Sequence, residues 1–146
     1  MKLETQSFSD LSATALYEIL KLRTDIFVVE QDCAYAECDD FDQEALHVLG
    51  TLNGKLVAYA RILPAGTVYD LPSIGRVAVV KDERGNNLGN KLFDYTLQKA
   101  KEQHKGQTIK VQAQTYLEEF YKSFGFKTIS EPYPDFGVWH VDMVTD

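Results

Sequence analysis

Two groups of residues in this chain have the types and spacing to do chemistry. The first is the run Arg84-Gly85-Asn86-Asn87-Leu88-Gly89-Asn90. It follows a predicted strand, Ile74 to Val80, and opens a predicted helix whose Leu88, Leu92, Phe93, Thr96, Leu97 and Ala100 share one face. A strand, a glycine-bearing turn and a helix N-terminus together aim free backbone N–H groups at one point, and the helix dipole favours an anion there. That chemistry fits a pyrophosphate, although an ordinary strand-to-helix connection also uses glycine. The second group moves protons or reads charge. Tyr121 is a phenol that arrives protonated at neutral pH, and His47, His140, Glu30 and Asp142 are candidate bases. Arg61 and Arg76 stand inside otherwise apolar strands, where an unpaired guanidinium is costly. They either pair with a carboxylate such as Glu30 or Asp25, or read an acidic group on a ligand.

The elements that must position these residues are legible from periodicity. Lys2 to Ser7 reads as a short strand, and Ser9, Asp10 and Ser12 supply caps for a helix whose apolar positions run from Leu16 to Phe27. That helix ends in FVVEQ, which places Glu30 at its last turn. Asp32 to Glu44 is an acidic loop, long enough to suggest function. Ala45 to Leu52 and Lys55 to Leu63 flank Asn53-Gly54, a strong hairpin signal because both turn positions need positive φ. Pro64 to Ser73 is a loop. Beyond the long helix, Thr108 to Ala113 is a strand, Tyr116 to Phe124 a short helix stopped by Gly125, and Phe126 to Ile129 and Val138 to Val144 are final strands. The loop EPYPDFG lies between those two strands. The order β-α-ββ-β-α-β-α-β-β predicts an α/β (α+β) fold, one mixed sheet with helices on its faces.

Bulk properties narrow the function classes. The 146 residues fit one domain and a core without disulfides. A net charge of −7 argues against nucleic-acid or anionic-membrane partners and weakly favours cationic ones. There is no apolar run of membrane-span length and no signal-peptide core at the N-terminus, so the expected compartment is the cytoplasm. Cys33, Cys38 and His47 are too loosely spaced for a zinc signature, and no metal is expected.

With the elements placed, the chain resembles the GNAT superfamily of N-acetyltransferases, and within it the ElaA-like branch. RGNNLG matches the superfamily turn Arg/Gln-x-x-Gly-x-Gly/Ala at its ends, with Asn87 in place of the middle glycine; asparagine tolerates positive φ. QTYLEEFYKSFGF supplies Tyr121, Gly125 and Phe126 of the Tyr-x-x-x-Gly-Phe segment. FVVEQ, YARIL, GRV and QAQ carry the likeness to the ElaA-like branch, which extends from about Phe27 to Met143.

The resemblance implies one GNAT domain over residues 1–146 with a mostly antiparallel sheet and helices on both faces. It implies acetyl-CoA as co-substrate, held by the backbone of Val77, Ala78 and Val79, by Arg84, Gly85, Asn86, Asn87, Leu88, Gly89 and Asn90, and by Gln114. The acceptor would be a primary amine of a small molecule or peptide. Tyr121 takes the role of general acid toward the CoA sulfur, against a plain core role beside Leu117, Phe120 and Phe124. No carboxylate occurs between Ser73 and Val80, where several relatives carry the base. Glu30, His47, His140, Asp142 and a water chain therefore all stay open as the base. A noncatalytic acyl-CoA-binding or sensor module is the alternative, and a homodimer is left open.

Overall fold

The computed structural model describes residues 1–146. In chain order the elements are β1 (Lys2–Ser7), α1 (Ala13–Arg23), β2 (Leu46–Leu52), β3 (Lys55–Leu63), β4 (Ser73–Val79), α2 (Leu88–Gln103), β5 (Ile109–Gln114), α3 (Glu118–Lys122), β6 (Lys127–Thr128), β7 (Tyr133–Asp135) and β8 (Val138–Thr145). The strands form one sheet in the order β1-β2-β3-β4-β5-β8-β6, with β7 pairing onto β8. Every pairing is antiparallel except β4 with β5. A mixed, mostly antiparallel sheet is thus what the chain builds.

The strand pleat sorts the core into two layers. On one face Ile19, Leu22 and Ile26 of the first helical segment pack on Leu49, Leu56, Tyr59 and Ala78. On the other face α2 brings the six residues predicted to share a face, all buried, against Ala58, Ala60, Ile62, Val111 and Met143. Helices therefore cover both faces. Strand β3 is buried at every position after Lys55, as expected for the strand between both layers. The β2–β3 turn has Asn53 at φ 52° and Gly54 at φ 77°, the conformation that Asn-Gly favours.

Local departures from the predicted elements bear on the site. The first helix changes at Thr24 into a π-helical segment, Thr24–Glu30. The wider i→i+5 ladder shifts the helix phase, a device frequent near functional sites. The predicted helix Tyr116 to Phe124 is a 3₁₀ turn, Thr115–Leu117, followed by only five α-helical residues. The loop EPYPDFG contains β7, folded back on β8 around Phe136 and Gly137, both at positive φ.

The sheet opens at its centre. Strands β4 and β5 pair only at Ser73–Lys110 and Ile74–Val111. Beyond that point β4 carries a bulge: Arg61 faces Gly75 and Tyr59 faces Ala78, so two residues oppose Ala60. Arg76 sits in the bulge at φ 53°, unusual for a side chain of its size. The bulge keeps β4 on β3 while it diverges from β5.

Candidate active site

The opening between β4 and β5 leads into a cleft of about 1280 Å³. Val77 to Val79, Arg84 to Asn90 with the exception of Asn86, and Gln114 all line it. Asn86 is exposed on the outer side of the turn. Val80 N–H bonds to Val57 O (2.9 Å), which makes Ala58–Val79 a non-hydrogen-bonded pair. The main chain of Val79 consequently turns away from β3, toward the space β5 has vacated. By the same alternation the Ala78 amide is directed at β3. Ala78 still lines the cleft, and in this register Val79 is the residue whose N–H is free of β3.

The turn behind β4 leaves backbone donors unused. Gly85 has φ 88° and Asn87 φ 63°, so asparagine adopts the left-handed conformation in place of the family's glycine. No side chain caps α2; Asn87 Oδ1 instead accepts from Asn90 Nδ2 (2.6 Å). The first N–H groups of α2 thus stay free at the positive end of a 16-residue helix. Arg84 adds a cation to this end. Its Nε donates to Val79 O (2.9 Å), and its two terminal nitrogens donate to the carboxylate of Glu30 (2.6 and 3.1 Å).

Tyr121 lines the cleft from α3, with 6% of its surface exposed. Its ring is held edge-on by Phe93, Phe120 and Phe126 at 5.1–6.1 Å between centroids. The ring belongs to the core, and its hydroxyl has no partner within the chain. Burial pushes the phenol's pKa above its ordinary value, so the proton stays on oxygen.

The four base candidates separate clearly. Glu30 lines the cleft but is committed to Arg84. His47 is fully buried and lies outside the cleft lining; its Nε2–H donates to Asp42 O (2.9 Å) and its Nδ1 accepts from the Tyr59 hydroxyl (2.6 Å). Burial lowers its pKa below the usual value despite the Asp42 carbonyl, which favours the neutral ring. As a base candidate, His47 has both ring nitrogens engaged within the chain, away from the cleft. Asp142 accepts from the Tyr133 hydroxyl (2.5 Å) and lies 3.5 Å from Lys110 Nζ. His140 lines the cleft, and its Nδ1 contacts Val138 O at 2.7 Å. A carbonyl oxygen only accepts, so Nδ1 carries the proton and Nε2 of the neutral ring presents a lone pair with no partner in the chain.

Arg61 and Arg76 are paired, with partners other than the predicted Glu30 or Asp25. Asp25 binds Lys21 at the surface. The partners come from the acidic loop, and with Arg23 they close a ring. Arg23 binds Glu37 (2.6 Å) and Asp42 (2.7 Å), Arg61 binds Asp42 (3.0 Å) and Asp39 (2.8 Å), and Arg76 binds Glu37 (2.7 Å) and Asp39 (3.4 Å). Three guanidinium groups thus alternate with three carboxylates. Burial raises the carboxyl pKa of Asp39 and Asp42, but Arg61 and Arg23 outweigh it and leave both below the ordinary range. Arg23 is fully buried, and its position in the last turn of an amphipathic helix gave no sign of that role.

A polar wall on β5, β7 and β8 completes the cleft. The residues of β5 alternate between buried Ile109, Val111 and Ala113 and the half-buried Lys110, Gln112 and Gln114. Gln112 Nε2 donates to Tyr133 Oη (3.0 Å) and Asp135 Oδ2 (3.1 Å), and its Oε1 accepts from the Tyr69 hydroxyl (3.3 Å). Burial, with Asp142 and Asp135 nearby, pushes the Tyr69 phenol up to about 12. Tyr69 and Asp135 were not singled out as site residues from the sequence, and Gln112 stood out only within the QAQ run. The signal was present in the polar alternation of β5.

An open mixed sheet parted at its fourth and fifth strands, with an anion-binding turn behind the fourth, defines the N-acyltransferase class of folds. Comparison assigns the chain within it: residues 11–146 match the acetyltransferase (GNAT) domain, and the protein belongs to that family. Protein ElaA of Escherichia coli is 39% identical over 140 residues, covering 94% of this chain and 92% of its own length. The crystal structure of Escherichia coli ElaA superimposes with a TM-score of 0.93 at 37% identity, covering 99% of both chains. An acyl-CoA N-acyltransferase from Pseudomonas aeruginosa gives 0.94 at 32% identity, again over 99% of both chains. The chain is therefore an ElaA-like member of the family. An aminoglycoside 6'-N-acetyltransferase complexed with coenzyme A shares the fold at 14% identity, with a TM-score of 0.71 over 97% of this chain and 96% of its own.

Proposed function

We propose that this protein transfers the acetyl group of acetyl-CoA to a primary amine of a small molecule or peptide. The observation that carries the reading is the meeting, in one cleft, of an anion-binding turn, an outward strand amide, an unpartnered phenol and an imidazole with a free lone pair. The residues fit the donor. An extended chain of amides such as pantetheine can add to the free edge of β4 as a strand would. The N–H groups at the start of α2, with Arg84 beside them, suit a pyrophosphate. When bound, the donor supplies an activated acyl thioester.

Each of the chain's groups then has one task. His140 Nε2 accepts the proton of the acceptor ammonium, which exposes the nitrogen lone pair that attacks the thioester carbon. Val79 N–H donates to the carbonyl oxygen as it gathers negative charge, a small oxyanion hole. Tyr121 gives its proton to the sulfur as the carbon–sulfur bond breaks, and the second proton shed by the nitrogen as the amide forms returns through solvent to the phenolate; the aromatic packing holds the ring for that step.

The test is release of free thiol from acetyl-CoA across a panel of primary amines, alongside a binding titration of the cofactor. Turnover that is lost in Tyr121→Phe while cofactor binding survives supports the transferase. Binding without turnover on any amine supports the alternative, a noncatalytic acyl-CoA-binding module. Absence of cofactor binding overturns both.

A further inference from the structure

We propose that the acceptor site selects an amine carrying a second positive charge, and that the Asp135 carboxylate receives it. The inference rests on the acyl-transfer reading for what happens to the amine, but not for how the amine is held.

The charge balance of the cleft carries the proposal. Three arginines line the cleft, Arg61, Arg76 and Arg84, and each is already paired with a carboxylate. The ring containing Arg61 and Arg76 is neutral, three guanidinium groups against three carboxylates. An acidic acceptor would have to break into that ring to gain Arg61 or Arg76, which leaves a carboxylate stranded, and Arg84 stands at the turn that suits the pyrophosphate. The arginines, expected from sequence to be able to read an acidic acceptor, are instead used up internally. The carboxylates lining the cleft are Glu30, Asp39, Glu83 and Asp135. Glu30 and Asp39 are paired, and Glu83 belongs to the turn beside Arg84. Asp135 alone stands on the polar wall without a cation: Oδ2 accepts from the uncharged Gln112 amide, and Oδ1 has no partner.

The surroundings of Asp135 suit an ammonium. Gln112 orients the carboxylate and is itself held by Tyr69 and Tyr133, so the acceptor oxygen is positioned before any ligand arrives. The aromatic rings of Tyr133 and Phe136 line the same cleft, and an aromatic face attracts a cation. Lys110, the cation of β5, is engaged by Asp142 at 3.5 Å and by the Tyr69 ring, 3.9 Å from its centroid, and forms no ion pair with Asp135. His140 pairs with Tyr133 across β7 and β8. One wall thus carries both the base for the reacting amine and the anchor for the second charge. The overall charge of −7 draws such a dication toward the protein.

The experiment is calorimetric titration of the CoA-saturated protein with three probes of equal length: diaminobutane, butylamine and aminobutyrate. Diaminobutane is expected to bind about ten-fold tighter than butylamine, with aminobutyrate weakest. In Asp135→Asn, whose amide oxygen still accepts from Gln112, diaminobutane falls to the butylamine level while the thermal midpoint is retained. Equal affinity for diaminobutane and butylamine, preference for aminobutyrate, or no binding of any probe overturns the proposal. An unchanged diaminobutane affinity in Asp135→Asn does so as well, and the wild-type series needs no variant to fold. The ordered affinities without thiol release would uphold the acceptor class and sink the transfer reading instead, so the two fail separately.

Discussion

In the proposed reaction Tyr121 and His140 divide the proton traffic between two walls of the cleft, and each can be removed without touching the other. Tyr121→Phe keeps the ring that Phe93 and Phe126 hold and deletes only the hydroxyl. It is expected to lower kcat for thiol release by about 100-fold while the cofactor dissociation constant moves by less than about two-fold. His140→Gln removes the Nε2 lone pair and is expected to cost about 100-fold in kcat, read from the same assay with the same unchanged cofactor affinity. A fall in cofactor affinity in either variant would reassign that residue to structure. His47 shows why residue type alone misleads: it has the same chemistry as His140, but its buried nitrogens are both satisfied.

At the scale of the element, the strand–turn–helix unit depends on two residues at positive φ, Gly85 and Asn87. Asn87 sits at φ 63° where a β-branched side chain is strained by about 1–2 kcal/mol. Asn87→Gly is expected to leave both stability and cofactor affinity intact, whereas Asn87→Val weakens both, by thermal unfolding and by titration. The ion-pair ring is the second element-scale device. It ties α1, the acidic loop, β3 and β4 together, and it holds Arg76 in the bulge that parts β4 from β5. Arg23→Met leaves Glu37 and Asp42 buried with one cation fewer, at an expected cost of roughly 3–5 kcal/mol. For a chain this long that lowers the thermal midpoint by roughly 10 °C. A shift below about 2 °C would show that the ring contributes little.

At the scale of the whole molecule, the same buried groups set the response to acid. Asp39, Asp42 and His47 all bind protons less readily folded than unfolded. Between the folded and unfolded values the unfolded chain holds more protons, so stability rises with pH there and falls as pH drops. The His47 contribution is complete above about pH 6.5 and is lost as pH falls through its lowered folded value. The carboxylate contributions are complete above about pH 4 and are lost below it. The urea midpoint is therefore expected to be flat between about pH 6.5 and about pH 9, to decline gently below that window, and to drop steeply under about pH 4. His104, whose pKa partial burial also lowers, adds to the first decline. His47→Gln should flatten most of that first phase; an unchanged phase would assign it elsewhere.

What the sequence determined by itself was everything carried by local periodicity and turn chemistry. The Asn53-Gly54 hairpin, the buried face of α2 and the left-handed tolerance of Asn87 follow from residues adjacent in the chain. Tertiary structure decided what depends on distant pairing. The register of β3 on β4 sends the Val79 amide into the cleft and withdraws that of Ala78. The partners of Arg61 and Arg76 lie in an irregular loop, 19 to 39 positions away, with no period to announce them. The folding of β7 onto β8 brings Asp135 beside Gln112, from a loop whose conformation no local rule specifies. Hydrogen-bonding capacity is written in residue types, but its satisfaction is a three-dimensional property. That difference separated His140 from His47, and it left Asp135 as the carboxylate of the polar wall without a cation.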